Sequence, residues 1–167
     1  MKRLLVIRHA KTHPAHLGQK DIDRMLNERG LQDAPRMAQR LVERGITIDA
    51  FISSTANRAY ATACFFAAAY QVPESSVQKI AAMYHPDAEN LFRIVSRFPD
   101  TLETVALFSH NPGLTDFVNL LSDIRIDHLP TCGIFAVAAD IKHWTEFKAA
   151  TRYFFFYDQP KALTDFL

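Results

Sequence analysis

The segment RHAKTHPAH, residues 8–16, sets Arg8, His9, His13 and His16 directly after an apolar run, in a chain with only seven histidines. Two chemistries suit such a cluster. His9, His13 and His16 could ligate a metal, or one of them could attack an electrophile while the arginine beside it holds an anion. The metal reading lacks support, because Pro14 interrupts the segment, helical apolar periodicity is absent, and no cysteine or close carboxylate completes a ligand set. His13 and His16 read better as loop residues at a rim, together with Lys11 and Lys20 within reach of a substrate.

The remaining pair, Arg8 and His9, acquires partners further along the chain. Ser53, Ser54, Thr55, Asn57 and Arg58 follow a second apolar run, and Ser109, His110 and Asn111 follow a third. Arginine's planar fork suits phosphate oxygens, and helix N-termini behind Asn57 and Pro112 would add amide donors. Histidine attacks phosphorus when its other ring nitrogen is held as a donor to a carbonyl. Arg8, Arg58 and His110 would then surround the phosphoryl group as it moves to His9. Two guanidinium charges supply what a metal would, so neither metal nor cofactor is expected.

Elements that could bring these residues together are legible in the apolar pattern. RLLVI (3–7) and TVALFSH (104–110) are continuous branched runs of the kind buried on both faces of a parallel sheet, and DAFISS (49–54) is a further strand. KIAAMY (79–84) is a weaker strand candidate. LNERGLQDAPRMAQRLVERG (26–45) predicts a helix capped by Asn27, with Leu31, Ala34, Met37, Ala38 and Leu41 inward, Pro35 near its start or at a kink, and Gly45 as its stop. Residues 57–71, 87–98 and 111–123 predict three more helices, the last two with stripes at Leu91, Ile94, Val95, Phe98 and at Leu114, Phe117, Val118, Leu121. GIFAVAAD (133–140) and TRYFFFYD (151–158) predict late strands, an antiparallel pair at one side of the sheet. The aromatic run at 153–157 suits a half-buried terminal strand better than a peptide-binding edge or a dimer seam.

Strands alternating with helices predict an α/β three-layer sandwich with a mostly parallel central sheet, whose ligands gather at the carboxyl ends of the strands. At 167 residues, one domain spanning 1–167 is expected. A net charge of +1 argues against nucleic acid or an anionic membrane as partner. The apolar LLVI is too short for a signal segment or a membrane span, and Cys64 and Cys132, isolated among apolar neighbours, read as buried thiols. A cytoplasmic protein is expected, with its oligomeric state left open.

Taken in order, RHA after the first strand, SSTANRAYATA after the second and FSHNPG after a later one resemble the histidine phosphatase superfamily, of the phosphoglycerate mutase-like fold. The short chain resembles the SixA-like phosphohistidine phosphatases within it. DIDRMLNERG is similar to that branch's Asp, Arg, Leu and helix-start pattern, with Asn27 where Thr is usual, and LPTCGIF resembles its late strand entry. The resemblance implies His9 as the phosphorylated nucleophile, Arg8, Arg58 and His110 as phosphate ligands, and a phosphoenzyme cleaved by water. Larger relatives carry an acidic proton donor in a loop where this chain reads AAMYHPDAEN, which offers His85 about where many short relatives have Glu. His85 could serve as donor, with Asp87 and Glu89 less well placed.

Four residues complete the expected site as substrate-binding positions. Asp21 and Arg24 either form a structural ion pair or orient the site. Asn111 and Thr131 are either neighbours of the phosphate or, respectively, a helix cap and a strand-entry hydroxyl. The leading function is a metal-independent phosphatase acting on phosphohistidine proteins, with small phosphoesters as further substrates. Its rivals are a phosphotransferase or mutase, a phosphoprotein-binding module with weak turnover, and a metal-dependent hydrolase.

Overall fold

Leu4, Leu5, Val6 and Ile7 are all fully buried, because alternate side chains of the first strand, β1 (Lys2–Arg8), enter two different cores. Leu4 and Val6 join one cluster, and Leu5 and Ile7 join the other. Each such side chain contributes roughly 1.5–3 kcal/mol of transfer free energy. The same alternation runs through β4 (Thr104–Ser109) and β5 (Ile134–Ala139), whose residues are all buried. β2 (Ala50–Ser54), β3 (Gln78–Ile80) and β6 (Arg152–Asp158) complete the strands of the computed structural model, which describes residues 1–161. Residues 162–167, the end of the expected 1–167 domain, lie outside that description.

The strand order is β3-β2-β4-β1-β5-β6. The pairs β3/β2, β2/β4 and β4/β1 are parallel, while β5 runs antiparallel to both β1 and β6. Helices α1 (Glu28–Glu43) and α2 (Asn57–Ala69) cover one face through Ala34, Met37, Ala38, Leu41, Ala63 and Phe66. On the other face α3 (Ala88–Val95) and α4 (Gly113–Val118) pack Leu91, Val95, Leu114 and Phe117 against Leu4, Val6, Val105 and Leu107. This is the expected α/β three-layer sandwich with a mostly parallel central sheet.

Several local expectations are corrected. Only Lys79 and Ile80 of the weak strand candidate pair, with Gln78 before them, and Ala81–Met83 forms a 3-10 turn instead. Leu31 is 49% exposed, because at that level of α1 the inward position belongs to Gly30, whose Cβ would collide with the Lys11 carbonyl oxygen. Asp33 is buried beside it, its carboxylate answered by Arg29 at 3.0 Å and Arg36 at 3.2 Å. Pro35 lies inside α1 on its exposed side, not at its start. Cys64 is only half-buried. α4 stops at Val118, yet Leu121 is still buried. β6 pairs along one side only, with a bulge that takes Phe155 out of register. No helix among the described residues is long and apolar enough to cross a membrane.

Candidate active site

Since β1, β2 and β4 are parallel neighbours, the residues that leave them meet at one edge of the sheet. His9 leaves β1 with its N–H donating to the Ser109 carbonyl at 3.2 Å, and the residue is 7% exposed. Its Nδ1 lies 2.7 Å from the Ala10 carbonyl oxygen. A carbonyl only accepts, so Nδ1 carries the proton and the Nε2 lone pair is left for chemistry. Burial pushes the His9 pKa down to about 3; the Ala10 bond opposes this, and the Arg58, Arg8 and Arg24 charges add to it. The imidazole is therefore neutral at ordinary pH.

The His110 ring lies 5.3 Å from that of His9, centroid to centroid. Its Nε2 is 2.7 Å from Ser54 Oγ, which already accepts the Ala56 N–H at 3.1 Å. Nε2 is the acceptor in reach of the Ser54 hydroxyl proton, and with Nε2 accepting, the neutral ring carries its own proton on Nδ1. Burial first, then His9, Arg58 and His85, push the His110 pKa down to about 2. Arg58, in the first turn of α2, is 3% exposed and donates from Nη1 to the Asp21 carbonyl at 2.8 Å and from Nη2 to Asp21 Oδ2 at 3.1 Å. Arg8 donates from Nη1 to the Leu129 carbonyl at 3.2 Å. Burial, then the Arg58 charge, lowers the Arg8 pKa.

Among the described residues, three buried side-chain atoms have no hydrogen-bond partner: Arg8 Nε, Arg58 Nε and His110 Nδ1. All three are donors. Leaving a buried donor unanswered costs about 1–3 kcal/mol, so three donors around one imidazole form a site shaped for an anion.

Asp21 organises the outer wall. Tyr84 Oη donates to its Oδ2 at 2.6 Å, His85 Nε2 lies 3.3 Å from the same oxygen, and Arg24 Nη1 reaches Oδ1 at 3.3 Å. The Tyr84 hydrogen bond, followed by those of Arg58 and Arg24, holds the Asp21 carboxyl well below the usual carboxylate range. Asp21 is thus an anchor for cations and cannot donate a proton. His85 is half-exposed, stacks on Tyr84 at 4.2 Å and stands 5.6 Å from the His110 ring. Its loop is pressed inward by Gly113, where a Cβ would collide with the Pro86 carbonyl oxygen.

The other expected residues divide. Arg24 ties Asp21 to the loop, donating to Thr12 Oγ1 at 2.7 Å and to the His13 carbonyl at 3.1 Å. Asn111 is engaged by the fold: Nδ2 donates to the Leu129 carbonyl at 2.8 Å, and Oδ1 accepts from the Thr115 hydroxyl at 2.8 Å and its N–H at 3.2 Å, although the N-cap position of α4 is Pro112. Thr131 borders a cavity with Arg8. Asp87 caps α3, and Glu89 pairs with Lys148 at 2.8 Å. His13 and His16 are exposed in the loop. Among the described residues no three His, Cys, Asp or Glu side chains gather closely enough to hold a metal.

Sequence reasoning gave Ser54 no role and overlooked two further contributors. Ser54 orients His110, and Tyr84 braces Asp21. Thr62 accepts the Ala10 N–H at 2.9 Å and donates to the Arg58 carbonyl at 2.7 Å, which joins the segment after His9 to the helix that carries Arg58. Only Thr62 left a signal, a lone hydroxyl four residues after Arg58 on a helix otherwise built of alanines and aromatics.

A family model for the histidine phosphatase superfamily, branch 1, matches residues 4–117, which include His9, Arg58 and His110. The chain belongs to that superfamily. Phosphatase is the activity that this membership carries. An uncharacterised chloroplastic protein of Arabidopsis thaliana is 31% identical over 156 residues, covering 87% of this chain and 70% of the relative. The protein histidine phosphatase SixA complexed with tungstate superposes with a TM-score of 0.82 at 19% identity, over 97% of this chain and 99% of that one. A protein from Agrobacterium tumefaciens assigned as a SixA phosphohistidine phosphatase gives 0.78 at 24% identity, over 95% and 99%. A phosphoserine phosphatase from Entamoeba histolytica gives 0.67 at 16% identity, over 98% and 100%. At these identities the likeness is one of fold, and that fold is SixA-like.

Proposed function

We propose that this histidine phosphatase is a single-domain, cytoplasmic enzyme acting on phosphohistidine in proteins, without a metal or other cofactor, through a phospho-His9 intermediate. One observation carries the reading: a neutral His9, with Nδ1 on a carbonyl, lies 5.3 Å from the His110 ring and within the field of Arg8 and Arg58, and Arg8 Nε, Arg58 Nε and His110 Nδ1 are buried and unpartnered. They fit the equatorial oxygens of a phosphoryl group, on which charge collects as it transfers. Nε2 of His9 forms a bond to phosphorus as the bond to the leaving nitrogen breaks, and His85 hands that nitrogen a proton. Water then attacks the phosphohistidine, its proton returns to His85, and phosphate leaves with Nε2 restored. Arg24 and Asp21 hold Arg58 and His85 in place, whereas Asn111 shapes the loop from behind. Thr131 borders the neighbouring cavity that Arg8 also lines.

A phosphoramidate makes modest demands on a proton donor, which suits a half-exposed histidine where an acid stands in larger relatives. That exposure also supports water, not a sugar hydroxyl, as the acceptor. The test is turnover of p-nitrophenyl phosphate and of a phosphohistidine protein in the presence of a chelator. His9→Ala, folded by circular dichroism, should lose at least about 10³-fold in kcat on both substrates. Unchanged turnover by that variant would overturn the mechanism. Activity on p-nitrophenyl phosphate alone would remove the phosphohistidine assignment.

A further inference from the structure

Arg8 borders a second cavity besides the phosphoryl site. It has a volume of about 420 Å³, within the range of small-molecule sites, and lies between the N-terminal part of α1, the segment leading into β5 and the chain leaving β6. Its lining brings Arg8, Lys11, Arg29 and Lys161 together with His128, against the single carboxylate of Asp33. That carboxylate is already shared between Arg29 and Arg36. The Lys11 ammonium has no partner among the described residues, and Lys11 is exposed. In a chain of net charge +1, such local segregation of cations is a built feature.

The walls are fixed from behind. The Lys11 carbonyl accepts the Asn27 N–H at 2.9 Å, and Gly30 lets α1 close onto it. Arg36 donates to the Pro160 carbonyl at 2.7 Å, and Arg40 donates to the Gln159 carbonyl at 2.9 Å. The Leu129 carbonyl accepts from both Arg8 and Asn111, which holds Arg8 as the partition between the two sites. Arg8 thus both lines this cavity and acts electrostatically on His9.

We infer that the cavity takes a second anionic group, a carboxylate or a phosphate, carried by the same substrate whose phosphoryl group meets His9. The inference rests on the phosphatase reading above. It sets the substrate class as one with two anionic groups, of which only the one facing His9 is hydrolysed. The second anion can be an acidic side chain beside a phosphohistidine or a second charge on a small phosphoester, since both present the same chemistry to Lys11 and Arg29.

Two substrate pairs separate these sources. One pair is phosphohistidine peptides flanked by glutamates or by glutamines; the other is propane-1,3-diyl bisphosphate and propyl phosphate, with p-nitrophenyl phosphate as reference. The wild-type protein at low salt should favour the doubly anionic member of at least one pair by about fivefold to tenfold in kcat/KM. The pair that shows the preference identifies the source. Lys11→Gln should bring the ratio to within about twofold of unity and Lys11→Arg should retain it, whereas Lys142→Gln, on the exposed surface after β5, keeps the wild-type ratio. Equal rates in both pairs, or a preference that survives Lys11→Gln, overturn the inference while leaving the phosphatase reading intact. Absence of His9-dependent turnover of every substrate fails both.

Discussion

At the scale of single residues, the site depends on keeping two imidazoles uncharged. His9 has a folded pKa of about 3 against an ordinary 6.5, and His110 one of about 2. Between those values and 6.5 the unfolded chain binds protons that the folded chain refuses, so stability rises with pH across that window. The contribution is complete above about pH 6.5 and is lost as pH falls towards the folded values. The urea midpoint should therefore decline steadily from pH 7 to pH 4.5, and decline less in His110→Gln, which lacks one of the two groups. His85 carries a different expectation. His85→Ala should lower kcat by about 10²-fold for an alkyl phosphate, whose alkoxide needs a proton, and by much less for p-nitrophenyl phosphate. Arg8, His9, Arg58 and His110 were legible because each follows an apolar run, whereas the hub role of Asp21 was not. A lone aspartate in a loop shows nothing of the tyrosine, histidine and two arginines that converge on it from residues 24, 58, 84 and 85.

At the scale of elements, strands covered on both faces could be read directly, since β1, β4 and β5 need apolar side chains at every position. Elements bounded by tertiary contact could not. KIAAMY has the composition of a strand but only its first two residues pair, and Leu31 fits the helical stripe of α1 yet faces outward because a backbone approach claims the inward slot. Thr62 is the sharpest such case, for its hydroxyl joins β1 to α2 and both partners are backbone groups invisible to any pattern. Thr62→Val keeps the shape and leaves the buried Ala10 N–H unanswered, so it should cost about 1–3 kcal/mol in chemical unfolding. Loosening His9 against Arg58, it should also lower kcat/KM.

At the scale of the whole molecule, the parallel order β2-β4-β1 decides the outcome, because it sets three strand exits side by side and turns scattered motifs into one anion site. Adjacency of strands leaves no mark in the sequence, which is why Ser54 and His110 did not read as partners. Inorganic phosphate should bind this edge and raise the melting temperature with its concentration, and Arg58→Ala should abolish that rise. The Nδ1 bond of His9 also decides which isomer the proposed phospho-His9 intermediate would be. Because the Ala10 carbonyl occupies Nδ1, phosphorus can attach only at Nε2, so a trapped intermediate carries the 3-phosphohistidine isomer and none of the 1-isomer. That linkage withstands alkali and breaks in acid, so a reaction stopped with alkali preserves the label and one stopped with acid erases it.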